Sequence, residues 1–458
     1  MRLCKAPSST YDSPASVGQT MKALPNAGMK FADEDEFRDI LKRLIVPGVP
    51  IEDVKSLQGR EVKLREISRA LNSKGMHVFI HGERGIGKTS LAVSAAKAFL
   101  KVDAYPPYVG CDEDATFDHL VRDVCRDFLG SSILRRQSDF QQSAGINLAF
   151  LKYEVKGSGG TWIIPEKVET INEAADMIGE AAQLSGYSEP LIVVDEFDRI
   201  KDDQVKRKFS DLIKRIHDKS VNVRFIFCGI GKTLDELTSG HLSSNRPLHP
   251  VEVDQISHDA RWRIVTRAAD ALGFQVDGEH LIRVGHISDG FPYYIHLVAQ
   301  NLFWIAFDKH PHDPVITSED FHAAVMGSME QAESPLKTAY KLAIQKTKNS
   351  LDYEEVLWSA AAGTHMQRQS REMYDGSYVP MMEERLRKEM FDPKIKEKRI
   401  FLTYEKYRDR LYKLTDQRHG HILEKSRNSW YEFPEKVNRG YVRLVAERNG
   451  VQLGADHF

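Results

Sequence analysis

Cysteine is scarce in this sequence: Cys4, Cys111, Cys125 and Cys228 are the only ones in 458 residues. They stand too far apart for a C-x-x-C zinc pair or a disulfide framework, which points to a reducing, intracellular setting. No apolar run approaches the roughly 20 residues needed to cross a bilayer. The stretch from Met1 to Thr10 also lacks the apolar core of a signal peptide. The expectation is a soluble, cytoplasmic protein with no membrane partner. A surplus of either charge is missing too, since 64 Lys and Arg face 66 Asp and Glu. That excludes a grossly basic nucleic-acid packager while leaving room for a local basic patch. Neither G-x-S-x-G nor H-E-x-x-H occurs, so those two hydrolase chemistries have no support. The histidine pairs His310/His312 and His419/His421 complete no metal constellation.

What is present divides the chain. At about 150 residues per domain, the length predicts roughly three domains. Residues 1–50 read as a flexible Ser-, Pro-, Ala- and Gly-containing tail followed by a short helix over 34–45. Over residues 51–255, apolar strands alternate with amphipathic helices. The strands are predicted at Val78–His81, Tyr108–Cys111, Leu191–Val194, Val223–Cys228 and Val251–Val253. Such alternation argues for an α/β fold with a parallel sheet covered by helices. Residues 145–165 interrupt the rhythm, and Ile146–Leu151 with Thr161–Ile164 predict an inserted hairpin. Helical periodicity then dominates a third region, 256–350. Region 351–458 continues with helices and ends in two short alternating runs, Gly420–Glu424 and Ser429–Phe433, which read as a small hairpin.

The strongest chemical signal is Gly82-Glu83-Arg84-Gly85-Ile86-Gly87-Lys88-Thr89, which fits G-x-x-x-x-G-K-[ST]. Glycines let the backbone curl until successive N–H groups face phosphate oxygens. The following helix adds its N-terminal N–H groups, including that of Ser90, and its positive dipole end. Lys88 is expected to reach the β- and γ-phosphates of ATP, and the Thr89 hydroxyl to ligate Mg²⁺. A second run, Gly229-Ile230-Gly231-Lys232-Thr233, repeats the end of this loop but lacks its first glycine, because Ile226 stands there.

Leu191-Ile192-Val193-Val194-Asp195-Glu196 is an apolar strand ending in two acids. Mg²⁺ keeps most of its waters and takes one or two carboxylates, a role that Asp195 fits. Glu196 is placed to polarise a water for attack on the γ-phosphate as a general base.

Gly59-Arg60-Glu61, the glycine-rich loop and Val193-Val194-Asp195-Glu196-Phe197-Asp198-Arg199, in this order, resemble P-loop ATPases of the AAA+/STAND grouping. The resemblance is to the origin-recognition type of AAA+ ATPase and its bacterial relatives, over roughly residues 55–310, and more weakly to a C-terminal winged helix over 351–458. It implies a five-stranded parallel sheet, a helical lid over 256–350 and ATP bound between them, with Gly59 and Arg60 near the adenine. It implies an arginine finger or γ-phosphate sensor at Arg246, and a nucleotide contact by Pro292 within Ser288-Asp289-Gly290-Phe291-Pro292. Two features depart from the pattern: Phe225-Ile226-Phe227-Cys228-Gly229 ends without the expected Asn, Ser or Thr, and no sensor 2 arginine stands in the lid.

Between Met381 and Gly450 there are 18 Lys and Arg against 12 Asp and Glu. The candidate phosphate contacts are Lys406, Arg408, Arg410, Lys413, Lys425 and Arg427. Two functions follow from the resemblance. One is an ATP-driven switch that assembles as a homo-oligomer and acts on double-stranded DNA. The other is a signalling or defence ATPase that recruits a partner protein without DNA.

Overall fold

A computed structural model of the chain describes residues 29–133, 149–156, 159–231, 233, 247–309, 313–345, 350–391 and 401–453. The strands of the first part are β1 (His77–Gly82), β2 (Tyr108–Gly110), β3 (Lys152–Lys156), β4 (Gly159–Ile163), β5 (Leu191–Asp195), β6 (Arg224–Gly229) and β7 (Leu248–Val253). Five of them form a sheet in the order β2-β5-β6-β1-β7, and every pairing in it is parallel. Because β6 lies between β1 and β5, the ends of those two strands stand about 10 Å apart at ordinary strand spacing. That gap separates the glycine-rich loop after β1 from the acids at the end of β5.

Period-two alternation splits the core across the sheet. Phe79, Ile192, Val194, Phe225 and Phe227 face one apolar cluster, under the helices Phe117–Ile133, Ile171–Leu184 and Asp203–Asp218. Val78, Ile80, Leu191, Val193, Ile226 and Cys228 face the other. Burial on both faces explains why β5 is apolar throughout rather than alternating. β3 and β4 pair antiparallel outside the sheet. The inserted hairpin is therefore there, with Lys152–Lys156 as its first strand and Gly159–Ile163 as its second. Of the expected first strand, residues 146–148 lie outside the described residues, and 149–151 precede the pairing.

The second apolar cluster continues beyond the sheet into the helices His258–Leu272, Gly278–Ser288, Pro292–Lys309 and Ser318–Gln331. It also receives the N-terminal segment. Phe37 stacks on Phe307 with ring centroids 4.4 Å apart and meets Trp304 edge-on at 4.9 Å. These contacts fix the helix Glu34–Leu44, which is capped by Asp33 accepting from the Glu36 N–H. They also set the path of the segment that follows it.

The C-terminal part runs helix Ser350–Ala361, β8 (Arg368–Gln369), helix Val379–Phe391, helix Tyr404–Lys413, β9 (Glu424–Arg427), β10 (Trp430–Glu432) and helix Val437–Arg448. Its antiparallel sheet has the order β8-β10-β9. The final hairpin begins at Glu424, the last residue of the expected run Gly420–Glu424. Gly420 instead ends a 3-10 turn at φ +71.

Helix Val437–Arg448 lies against the lid helix Pro292–Lys309. A Cβ on Gly440 would stand 2.4 Å from the Tyr294 ring, so glycine is what permits this approach. The Tyr294 hydroxyl in turn donates to the Val437 carbonyl at 2.8 Å. Gly440→Ala is expected to cost about 1–3 kcal/mol, the usual penalty of overpacking. A lowered urea midpoint would register it, and an unchanged midpoint would show that the ring moves aside freely.

Candidate nucleotide site

The residues at the carboxyl ends of β1 and β5 meet around one cavity of about 520 Å³. Gly87, at φ +93, occupies the left-handed region just before helix Lys88–Leu100, a conformation glycine adopts without strain. Gly82 packs so closely on β7 that a Cβ would lie 2.4 Å from the Val253 carbonyl oxygen. The loop thus needs its glycines for both curvature and clearance. Gly85, Gly87, Lys88, Thr89 and Ser90 line the cavity.

Lys88 donates from Nζ to the carbonyls of Gly82 at 3.0 Å and Glu83 at 2.9 Å. Burial lowers its pKa, while Asp198, Cys228, Asp195 and Glu83 act to raise it. A half-buried ammonium hydrogen-bonded to two carbonyls is poised for an anionic partner. Thr89 bridges the gap to β5: its Oγ1 donates to Asp195 Oδ2 at 2.5 Å. The same oxygen accepts from the Tyr108 hydroxyl at 3.1 Å, and Oδ1 accepts from the Glu196 N–H at 2.7 Å. Burial, then the Asp195 carboxylate, raises the Tyr108 pKa, so the phenol remains a donor.

A hydroxyl and a carboxylate oxygen at this separation are the hard donors that suit Mg²⁺. Among the described residues no group of three His, Cys, Asp or Glu is gathered for a metal. Glu196 sits in the left-handed region at φ 54, a conformation that costs a non-glycine residue about 1–3 kcal/mol and recurs at functional sites. Its Oε2 accepts from Arg199 Nη1 at 2.8 Å, and both side chains are nearly half exposed.

The cavity's other walls come from distant parts of the chain. Pro292, Tyr293, His296 and Glu333 line it from the helical region, and Val437 from the C-terminal helix. The segment Val46–Ile51 lines it as well, a contribution that sequence reasoning missed. Two contacts hold that segment: the Val46 N–H donates to His296 Nδ1 at 3.2 Å, and the Ile51 N–H to Ser90 Oγ at 3.0 Å. Its signal was the run Pro47-Gly48-Val49-Pro50, which reads equally well as a helix terminator.

Gly59 and Arg60 do not line the cavity. Gly59 packs on the lid, where a Cβ would meet Ala260 Cβ at 2.5 Å. Arg60 is buried and donates from Nη2 to the Ile86 carbonyl at 2.9 Å, supporting the phosphate loop from behind. Burial lowers its pKa to about 10, opposed by Asp254. Gly82 acts through its carbonyl on Lys88 rather than as a wall. Arg246 lies outside the described residues.

Among the described residues, no helix is long and apolar enough to cross a membrane. No curated protein matches the chain in sequence. Solved structures with a distant likeness include the Walker-type ATPase PABY2304 of Pyrococcus abyssi, at 16% identity and a TM-score of 0.49, covering 86% of this chain and 98% of that one. The ORC2 protein of Aeropyrum pernix, in ADPNP–ADP complexes, is 11% identical with a TM-score of 0.45, covering 89% of this chain and 98% of its own. The ORC1 protein of the same organism, in complex with DNA, is 14% identical with a TM-score of 0.41, covering 89% and 97%. Residues 56–226, the segment that holds β1, the phosphate loop, β5 and the start of β6, match the family model of the AAA ATPase domain.

Proposed function

We propose that this chain is an ATP-binding and ATP-hydrolysing switch of the AAA+/STAND type, whose nucleotide state governs a C-terminal winged helix that acts on double-stranded DNA. The observation that carries the reading is the bond between Thr89 and Asp195 in a cavity also walled by the lid and by Val437. Lys88 leaves its carbonyls to take the β- and γ-phosphates, and the loop N–H groups hold the rest of the chain of phosphates. Thr89 and Asp195 hold the Mg²⁺, which when bound neutralises charge on the transferring phosphoryl group. Glu196 accepts the proton of the attacking water. Pro292 and Val46–Ile51 enclose the nucleoside end. Arg246 acts on the γ-phosphate, in cis or from a neighbouring subunit of an ATP-driven homo-oligomer.

The C-terminal order of helix, strand, helix, helix and two-stranded hairpin supports a winged helix. In such domains the third helix enters the major groove and the hairpin reaches phosphates. Here Lys406, Arg408 and Lys413 are exposed on helix Tyr404–Lys413, and Lys425 and Arg427 on β9. Arg410 is turned inward instead, with Asp352 at 3.5 Å and Asp409 at 3.0 Å.

A second reading, recruitment of a partner protein without DNA, is favoured by the acids on the same helix. Glu405 and Asp409 are exposed beside the cations, and Asp409 pairs with Lys413 at 2.7 Å. Binding of labelled duplex DNA with ATP and Mg²⁺, compared between wild type and Lys88→Ala across a salt series, separates the two. Tight binding is expected for wild type only, falling by about 0.9 log units per phosphate contact for each tenfold rise in salt. Lys406→Ala should reduce that slope by about 1. Absence of DNA binding at low salt, with ATP still bound, would leave the partner-protein reading.

A further inference from the structure

β2 is the edge strand of the sheet, and the register sets Tyr108 opposite Val193 and Gly110 opposite Asp195. Two residues apart on a strand, Tyr108 and Gly110 belong to the same face. A Cβ on Gly110 would stand 3.7 Å from Tyr108 Cε1. The tyrosine ring therefore runs along the strand beside a position that has no side chain, and this path brings its hydroxyl to Asp195 Oδ2 at 3.1 Å. Tyr105 meets the ring edge-on at 5.7 Å. The Tyr108 N–H donates to Asp127 Oδ2 at 2.6 Å, which ties this edge strand to helix Phe117–Ile133.

We infer that Tyr108 is a positioning residue for the divalent-cation site, fixing the Asp195 carboxylate from the side opposite the phosphate loop. This rests on the ATP·Mg²⁺ reading of the cavity. Three donors converge on one carboxylate: the Thr89 and Tyr108 hydroxyls on Oδ2, and the Glu196 N–H on Oδ1. Thr89 stands in the first turn of the helix after the phosphate loop, and its hydroxyl is itself the group a cation would engage. The Glu196 N–H comes from the adjoining peptide and follows the strand end. Tyr108 is anchored in the sheet, so its hydroxyl keeps the carboxylate plane in place. Outer partners of this kind orient a metal ligand, and their removal commonly weakens metal binding by about 10- to 100-fold.

The test is Tyr108→Phe in the full chain, which keeps the ring and its packing and removes only the donor. A fluorescent ATP analogue is titrated first in EDTA and then against Mg²⁺, and Mn²⁺ binding to the nucleotide complex is followed by electron paramagnetic resonance. Expected is an affinity in EDTA equal to that of wild type, with the Mg²⁺ and Mn²⁺ constants raised about tenfold. A Tyr108→Phe protein with wild-type metal constants would overturn the role given to the tyrosine. Equal loss of affinity with and without metal would overturn it too, because that is the signature of a general structural defect. Wild-type protein whose nucleotide affinity ignores Mg²⁺ would instead remove the ATP·Mg²⁺ reading, and the role of Tyr108 with it.

Discussion

Glu196→Gln is expected to slow ATP turnover by about a hundredfold or more while nucleotide affinity stays within a few-fold of wild type. The carboxylate stands at the end of β5, next to Asp195, on a backbone held in the left-handed region. Its side chain is nearly half exposed, open to the solvent from which an attacking water would come. Glutamine keeps the size and the ability to accept a hydrogen bond from Arg199 but cannot take a proton. The same substitution leaves Lys88, Thr89 and Asp195 untouched, so phosphate and cation binding should persist. Phosphate release under saturating ATP, beside equilibrium binding of a fluorescent analogue, reads the two effects separately. Turnover within a few-fold of wild type would mean that another group activates the water. Loss of binding would mean that Glu196 shapes the pocket rather than serving the chemistry.

The loop and the strand that carry this prediction were legible because their chemistry is local. Gly82 to Thr89 form one continuous turn and helix start, and Leu191–Asp195 is one strand buried on both faces. The parallel sheet followed from the same kind of short-range pattern, and its five strands from the family resemblance. What the sequence concealed depends on contacts between distant segments. Val46–Ile51 reaches the cavity because Phe37 packs on Trp304 and Phe307, a pairing that no local periodicity encodes. Tyr108 read only as a strand residue, since its reach to Asp195 requires the register of β2 on β5.

Charge counting misled in a related way. The basic excess of the C-terminal region includes Arg439 and Arg443, which are 1% and 7% exposed and offer nothing to a phosphate backbone. Arg385 stacks its guanidinium on Trp358 at 4.9 Å. A long cationic side chain in a helix reads as solvated until tertiary structure shows carbonyls gathered around it. Lys406, Arg408, Lys413, Lys425 and Arg427 do face outward, as do Arg387, Arg418 and Arg448.

The buried arginines carry the second large prediction: Asp289→Ala is expected to destabilise the chain by about 3–5 kcal/mol, the cost of breaking a buried ion pair on one side. Asp289, 5% exposed, stands in the turn that leads into Pro292. Its Oδ1 accepts from Arg443 Nη1 at 2.9 Å, and Arg439 Nη1 lies 3.5 Å from its Oδ2. The two guanidinium groups are otherwise satisfied by carbonyls, Arg443 by His286 and Ala361 at 2.8 Å each, and Arg439 by Ala361 at 3.2 Å. Removing the Asp289 carboxylate takes from this buried pair the negative charge that faces both guanidinium groups, and neither can move to water while helix Val437–Arg448 stays docked. Undocking is the cheaper response. It would withdraw Val437 from the nucleotide cavity and open its mouth, so faster release of bound nucleotide should accompany the lower stability. Arg443→Ala, which leaves Asp289 beside Arg439, should do the same to a smaller degree, near the lower end of that range. Urea unfolding followed by tryptophan fluorescence measures the first effect, and displacement of a pre-bound fluorescent nucleotide by excess ATP the second. An unchanged urea midpoint for Asp289→Ala would show that the carbonyls alone hold the arginines. A lowered midpoint with wild-type release would show that the docked helix stabilises the fold without gating the nucleotide.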